Sequence, residues 1–220
     1  VVWANEYDKS IWNTYEFNHP HTQLDKRDIR KIVSDEIPDC IGIIGGPPCQ
    51  SWSEAGAQRG IDDSRGQLFF DYIRILKEKK PLFFLAENVG GILAKKHDKA
   101  FTNILSHFKD TGYEVTYQLL NAGDYLVPQD RKRVIIVGYR EDMGGRFEFP
   151  YAINNKLTLQ NAIYDIKDIE AIAIDSKTDQ SNTAIPNHEY KQGSFSSIYM
   201  SRNRVRNWNE PSFTIQAGAR

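Results

Sequence analysis

The sequence predicts an α/β fold: a mostly parallel sheet with helices on both faces, followed by a small strand-rich region. Three observations predict it. Short, branched apolar runs recur at residues 1–4, 41–45, 82–86 and 134–138, with the length and composition of strands buried in a parallel sheet. Stretches with helical spacing of apolar residues lie between them, so strand and helix alternate. After Pro150 this alternation stops and no clear long period replaces it.

The elements follow in order. Val1-Val2-Trp3-Ala4 reads as a strand met in mid-fold, and the chain as an internal portion of a longer protein. Residues 8–18 place Ile11, Trp12 and Tyr15 on one helical face, and 22–27 is a weaker extended stretch. After the strand 41–45, residues Leu68, Phe69, Tyr72, Ile73 and Leu76 fall at helical spacing and stop before Pro81, a residue that breaks helices. Phe101, Ile104, Leu105 and Phe108 repeat the pattern between the strands 82–86 and 134–138, ending at Gly112. Residues 151–186 hold five acidic and three basic side chains. Residues 187–220 hold Lys191, Arg202, Arg204, Arg206 and Arg220 against Glu189 and Glu210, a local balance of +3, with Tyr190, Phe195, Tyr199, Trp208 and Phe213 interleaved. A boundary near 150 therefore divides a domain 1–150 from a region 151–220.

Composition sets the outer limits. With 220 residues, 40% hydrophobic and 26% charged, the chain is neither disordered nor a disulfide scaffold. No apolar run approaches the ~20 residues of a membrane-spanning helix. Two cysteines, Cys40 and Cys49, suit a reducing compartment. The net charge of −1 does not announce nucleic acid, but a global average hides a local basic face.

The candidate chemistry gathers at strand ends, where open parallel sheets form their sites. The strand 41–45 runs into Gly46-Pro47-Pro48-Cys49-Gln50-Ser51-Trp52-Ser53. A cysteine after this stiff turn is either a small buried hydrophobe or a nucleophile at the sheet's working edge. The strand 82–86 runs into Glu87-Asn88-Val89, which places Glu87 at the same edge. Glu87 is either a solvated loop carboxylate or a partly desolvated proton donor. Glu6 closes the first strand, and Asp28 follows the stretch 22–27. Carboxylates so placed take ribose hydroxyls or an adenine amino group, or simply face water. Gln129-Asp130-Arg131-Lys132-Arg133 leads into the strand 134–138. If extended, it puts Arg131 and Arg133 on one face, as a solvated charge run or as guanidiniums aimed at a phosphate or carbonyl. The polar stretch 56–66 beside Cys49 reads as a lid or as disorder. His19 and His21 have no metal-ligand spacing with cysteine, and no metal site is expected.

Together these segments resemble the DNA cytosine-5 methyltransferases. Pro47-Pro48-Cys49-Gln50, Asp63-Ser64-Arg65-Gly66-x-Leu68-Phe69, Glu87-Asn88-Val89 and Gln129-x-Arg131-x-Arg133 stand in that family's order and spacing. The stretch from Tyr199 to Arg206, with Trp208-Asn209-Glu210-Pro211, is similar to the target-recognition region of bacterial modification methylases of GGCC, the HaeIII type. The resemblance implies a Rossmann-like, S-adenosylmethionine-dependent methyltransferase fold with a target-recognition region. It implies a thiolate Cys49 that adds to cytosine, Glu87 acting at the ring, and Arg131 and Arg133 holding the ring carbonyl. Glu6, Tyr7, Asp28, Ile29, Pro48 and Leu68 would line the S-adenosylmethionine site. Gln50, Ser51 and Ser53 of a closing loop would meet DNA, with Arg202, Arg204 and Arg220 as base readers and Arg206 as a phosphate contact. The family's glycine-rich first motif and its last helix have no counterpart in these residues, which leaves half a cofactor pocket. The implied partners are double-stranded DNA and the methyl donor. A cognate restriction endonuclease would be a functional counterpart without direct contact, and the enzyme a cytoplasmic, nucleoid-associated bacterial monomer. Two other readings stay open: an inert DNA-binding relative or fragment, and an α/β thiol hydrolase. The hydrolase needs a histidine base near Cys49, and the segments converging on that edge contain none.

Overall fold

A computed structural model describes residues 1–47, 68–174, 183–185, 188–191 and 205–215. The chain divides into two compact units, residues 1–119 with 133–150 and residues 120–132 with 151–220. No described helix is long and apolar enough to cross a membrane.

The first unit opens with β1 (Trp3–Asn5), α1 (Trp12–Asn18) and β2 (Gln23–Asp25). β1 and β2 pair in parallel as a two-stranded sheet. The predicted apolar face of α1 buries no residue fully. Its Trp12 Nε1 instead donates to the Glu6 carbonyl (2.8 Å), fastening the helix to the end of β1.

A four-stranded sheet follows in the order β3-β4-β6-β5, from β3 (Gly42–Gly45), β4 (Phe83–Val89), β5 (Tyr113–Asn121) and β6 (Lys132–Arg140). Helices α2 (Leu68–Lys79) and α3 (Asp98–Asp110) connect these strands. Along β4 the buried positions alternate, Phe84, Ala86 and Asn88. Phe84 and Ala86 join Phe69, Ile73 and Leu76 of α2, Phe101, Ile104 and Phe108 of α3, and Val134 and Ile136 of β6 in one core. Phe84 stacks on Phe108 with ring centroids 4.6 Å apart. A second cluster, Ile32, Ile37 and Ile75, packs with Trp3, Ile29 and Ile43.

The sheet departs from the expectation in one respect. The run 134–138 is a strand, but β6 is antiparallel to β4, with Phe84 opposite Gly138 and Glu87 opposite Ile135. The cause is β5, which no apolar run marks in the sequence. It buries Tyr113 and Val115 around an exposed Glu114, the alternation of a strand with one wet face, and then exposes Tyr117, Gln118 and Leu119. β5 and β6 are neighbours in the sheet, and a link of ten residues joins them, too short for the crossover that parallel neighbours require.

Among its described residues, the second unit holds α4 (Leu159–Ile163), β7 (Ile172–Ile174) and β8 (Glu189–Lys191), with β7 and β8 parallel. Thr158 and Asn161 form a reciprocal capping box at the start of α4.

Candidate active site and DNA interface

Pro48, Cys49, Gln50, Ser51 and Ser53 lie outside the described residues, as do Arg202, Arg204 and Arg220. The framework that leads to Cys49 is described up to Pro47. β3 and β4 are parallel, with Gly45 opposite Ala86, so both chains leave the sheet at the same edge. Gly46 follows the end of β3, and Glu87 is the first of the last three residues of β4. A Cβ built on Gly46 would sit 3.4 Å from Glu87 Oε2, which fixes the carboxylate against the approach to Cys49.

Two further residues, which the sequence does not mark as part of the site, hold this edge. Asn88 is 1% exposed, and its Nδ2 donates to the Pro47 carbonyl (3.0 Å). The Val89 amide donates to Asn88 Oδ1 (2.9 Å), so the side chain is satisfied at both ends. An amide at a buried strand position was the available signal, because buried polar groups demand partners. The Tyr72 hydroxyl of α2 lies 3.0 Å from the carbonyls of both Ile43 and Leu85, bridging β3 and β4. Burial pushes its pKa up, so it remains a donor.

Glu87 lies within β4 and not in a loop. Its side chain is 40% exposed, and Oε1 pairs with Arg133 Nε at 2.7 Å. The antiparallel register explains the pair. Val89 opposes Arg133 and Glu87 opposes Ile135, so Glu87 and Arg133 are diagonal neighbours on one face. Arg131 precedes β6 and belongs to the second unit. Its amide donates to Asn121 Oδ1 (2.9 Å), and its guanidinium has no hydrogen bond or ion pair among the described residues.

The other group of predicted residues surrounds the ends of β1 and β2. The Glu6 amide donates to the Asp25 carbonyl (3.1 Å), and Glu6 Oε1 accepts the Asp8 amide (2.7 Å). Asn5 Nδ2 donates to the carbonyls of Asp25 (3.0 Å) and Arg27 (2.8 Å), tying the two strand ends together. Tyr7 is 71% exposed. Asp28 caps the short turn Ile29–Lys31 by accepting the Arg30 amide (3.0 Å) and also pairs with the Arg30 side chain. The Arg30 side chain is the main reason its carboxyl is held down to about 2, with the Arg30 amide next. Arg74 of α2 donates to the Ile29 carbonyl (3.1 Å) and to Ser34 Oγ (3.3 Å). Leu68 opens α2 and is partly buried.

In the second unit, Arg206 is committed within the chain. Its guanidinium pairs with Asp130 and Glu210, each at 3.2 Å, and lies 4.0 Å from the centroid of the Phe213 ring.

The comparisons agree with this framework. The C-5 cytosine-specific DNA methylase family matches residues 1–220. The type II methyltransferase M.FnuDI of Fusobacterium nucleatum is 54% identical over 224 residues, covering all of this chain and 65% of that protein. M.MthTI of Methanothermobacter thermautotrophicus is 53% identical over 220 residues, covering all of this chain and 66% of its own length. The chain thus spans just under two thirds of these relatives. Among solved structures, a prophage-encoded DNA modification methyltransferase of E. coli superposes with a TM-score of 0.66 at 29% identity, over 81% of this chain and 52% of that one. The chain belongs to the C-5 cytosine-specific DNA methylase family.

Proposed function

We propose that the chain is part of a type II DNA cytosine-5 methyltransferase that modifies cytosine within GGCC. The observation that carries this reading is the edge where Glu87, paired with Arg133, and Asn88, bonded to Pro47, stand at the approach to Cys49. In this reading residues 1–150 form the catalytic domain and 151–220 the target-recognition region. The partners are double-stranded DNA and S-adenosylmethionine, and a cognate endonuclease acts on the same sequence. The setting is the bacterial cytoplasm, and the enzyme acts as a monomer.

The cofactor's fit is judged on Glu6 and Asp28. Glu6 Oε2 has no partner among the described residues and is available to ribose hydroxyls. Asp28 is engaged by Arg30, whose side chain is 59% exposed and free to give way to an adenine amino group. Ile29 is packed in the Ile32–Ile37–Ile75 cluster, which fixes its backbone for an adenine face. The residues fit the group, with Tyr7, Pro48 and Leu68 completing its surroundings. S-adenosylmethionine would supply an electrophilic methyl group there.

The remaining chemistry belongs to this chain's own side chains. Cytosine carbon 5 is a poor nucleophile. Addition of the Cys49 thiolate to carbon 6 forms a carbon–sulfur bond and moves an electron pair onto carbon 5. Glu87 hydrogen-bonds or protonates ring nitrogen 3 and draws charge away as the thiolate adds. Arg133, with Arg131, holds the ring carbonyl. The electron pair on carbon 5 would take up the methyl group as its bond to the donor's sulfur breaks. Loss of the hydrogen on carbon 5 as a proton to water, with breaking of the carbon–sulfur bond to expel the thiolate, then restores the ring's double bond and the enzyme. A base inside a duplex is out of reach of Cys49, so the cytosine is flipped out. The loop 50–66, with Gln50, Ser51 and Ser53, closes over it.

GGCC follows from the resemblance of residues 199–211 and from their basic balance. Arginine matches the two major-groove acceptors of guanine bidentately, and Arg202, Arg204 and Arg220 are the assigned readers. The test uses the full-length protein, duplex DNA and tritium-labelled S-adenosylmethionine. Cys49→Ser is expected to abolish transfer while keeping duplex binding, and 5-fluorocytosine at the target to trap a covalent adduct with the parent. Near-normal turnover by Cys49→Ser would overturn the mechanism. On single-base variants of GGCC, Arg202→Ala and Arg204→Ala are each expected to cost ~1–3 kcal/mol and to relax one position. A uniform loss on every sequence would leave those arginines only phosphate contacts.

A further inference from the structure

We propose that Asp130 and Arg206 form a clasp that sets the register of the base-reading segment, which makes Arg206 a positioning residue for sequence discrimination. The proposal rests on the functional reading above and replaces the phosphate role that the family resemblance implies for Arg206.

The guanidinium of Arg206 is used on three sides. Nη2 meets Asp130 Oδ2 and Nη1 meets Glu210 Oε1, each at 3.2 Å, and the Phe213 ring lies 4.0 Å away. Only 24% of the side chain is exposed. Glu210 also accepts the Asn207 amide (2.9 Å). That bond, with Arg206 beside it, holds the Glu210 carboxyl below its usual range. A phosphate approaching this guanidinium would meet two carboxylates that already hold Nη1 and Nη2, while Nε is buried and has no partner among the described residues. A lone, partly exposed ion pair is worth little, but here two pairs and a cation–π contact share one group.

Asp130 is the hub on the other side. Its Oδ1 accepts from Asn121 Nδ2 (3.2 Å), and Asn121 Oδ1 accepts the Arg131 amide (2.9 Å). The two backbones are joined as well. The Asp130 amide donates to the Ser212 carbonyl and the Ser212 amide to the Pro128 carbonyl, both at 2.9 Å. Thr214 Oγ1 donates to the Asp130 carbonyl (2.6 Å). Gln129 and Ser212 therefore form a parallel bridge. The clasp ties residues 206–214 to the tripeptide Pro128-Gln129-Asp130, all within one unit.

Arg204 and Arg202 precede Arg206 by two and four residues. Side chains at alternate positions of an extended segment share a side, and a slip of one residue turns all of them to the other. A reader of this kind needs a fixed end, and among the described residues Arg206 is the anchored side chain nearest in sequence to Arg204.

The experiment uses the full-length protein with Asp130→Asn, Arg206→Ala, Arg206→Lys and the double variant Asp130→Asn/Arg206→Ala. Methylation of GGCC and its single-base variants is measured over a range of salt. Amide exchange over residues 125–132 and 205–215 is measured without DNA. Each single variant is expected to narrow the kcat/KM ratio between target and variant duplexes by roughly three- to tenfold, and the double to narrow it no further than the worse single. Lysine keeps the charge but loses the fork, so Arg206→Lys is expected to behave like Arg206→Ala. Salt dependence is expected to stay parental, and the Asp130 and Ser212 amides to exchange faster in every variant. The proposal is overturned if Arg206→Ala weakens binding to all duplexes alike and lowers the salt slope by about 1 while Asp130→Asn does neither. Full rescue by lysine, or parental exchange at both amides, also overturns it. A parent that methylates no duplex would refute the functional reading instead, and with it the link to discrimination. The exchange data would then still decide whether the clasp exists.

Discussion

Gly45→Ala tests whether the Tyr72 ring fixes the strand end that leads to Cys49. Tyr72 crosses the end of β3, and a Cβ on Gly45 would lie 2.9 Å from its Cδ2 and nearer still to Cε2. The ring has no easy retreat. Its hydroxyl is 3.0 Å from the carbonyls of Ile43 and Leu85. Its edges and face meet Phe84 and Phe108, each with centroids 6.1 Å away. Overpacking of this kind costs about 1–3 kcal/mol, and a buried carbonyl deprived of its donor costs about 1–3 kcal/mol more. The expected destabilisation is thus about 2–6 kcal/mol, read from urea unfolding followed by far-UV circular dichroism. A double-mutant cycle with Tyr72→Ala isolates the clash. Without the ring the methyl has room, so most of the Gly45→Ala cost is expected to vanish, a coupling of about 2 kcal/mol. Additive losses, or a Gly45→Ala protein within ~0.5 kcal/mol of the parent, would refute the account of this edge.

Three further outcomes follow from the same geometry. Glu87→Gln is expected to change stability by no more than ~1 kcal/mol, because its ion pair is partly exposed, yet to lower methyl transfer by about 10²–10⁴; equal small effects on both would remove Glu87 from the chemistry. Glu6→Ala is expected to weaken S-adenosylmethionine by about ten- to a hundredfold, the worth of hydrogen bonds to a charged group, with little effect on duplex affinity, and isothermal titration of the full-length protein decides it. Burial, and then the neighbouring Lys96, lower the His97 pKa from 6.5, so the unfolded chain takes up its proton first as pH falls. The stability gained from neutral His97 is complete above 6.5 and is lost as pH drops below it; unfolding measured from pH 6.5 to roughly 5 should show that loss, and His97→Asn should reduce it.

Much of the framework was legible because it depends on local pattern. The runs 41–45, 82–86 and 134–138 are strands, and the helical spacings at 68–76 and 101–108 are helices. β5 was missed because its face alternates like a partly wet strand, so no apolar run marks it. Tyr72 was legible as a core position at helical spacing. Its hydroxyl bridge between β3 and β4 was not, since its partners lie 29 and 13 residues away. Asn88 was readable only as part of a tripeptide, although an amide in an apolar strand is itself a demand for a partner. Glu87 was expected at the working edge, but its exposure and its pairing with Arg133 depend on strand direction. The phosphate role of Arg206 came from the family resemblance, and a resemblance in sequence does not tell whether a guanidinium is already paired.

Strand direction decides more than the sheet's description. β6 is nine residues long, and because it is antiparallel to β4 its first residues arrive at the edge where β3 and β4 end. Arg133 is thereby set opposite Val89 and beside Glu87. A parallel β6 would place Arg133 at the far edge, about 20 Å away at ~3.3 Å per residue, beyond the reach of any side chain. The short link from β5 to β6 therefore does two things. It forces the reversal that brings Arg133 to Glu87, and it places Gln129, Asp130 and Arg131 just before the strand, where Asp130 meets Arg206. In sequence, Asp130, which pairs with Arg206 within the second unit, stands three positions before Arg133, which pairs with Glu87 within the first. This gives a physical reason for Gln129, Arg131 and Arg133 to stand so close together in the sequence.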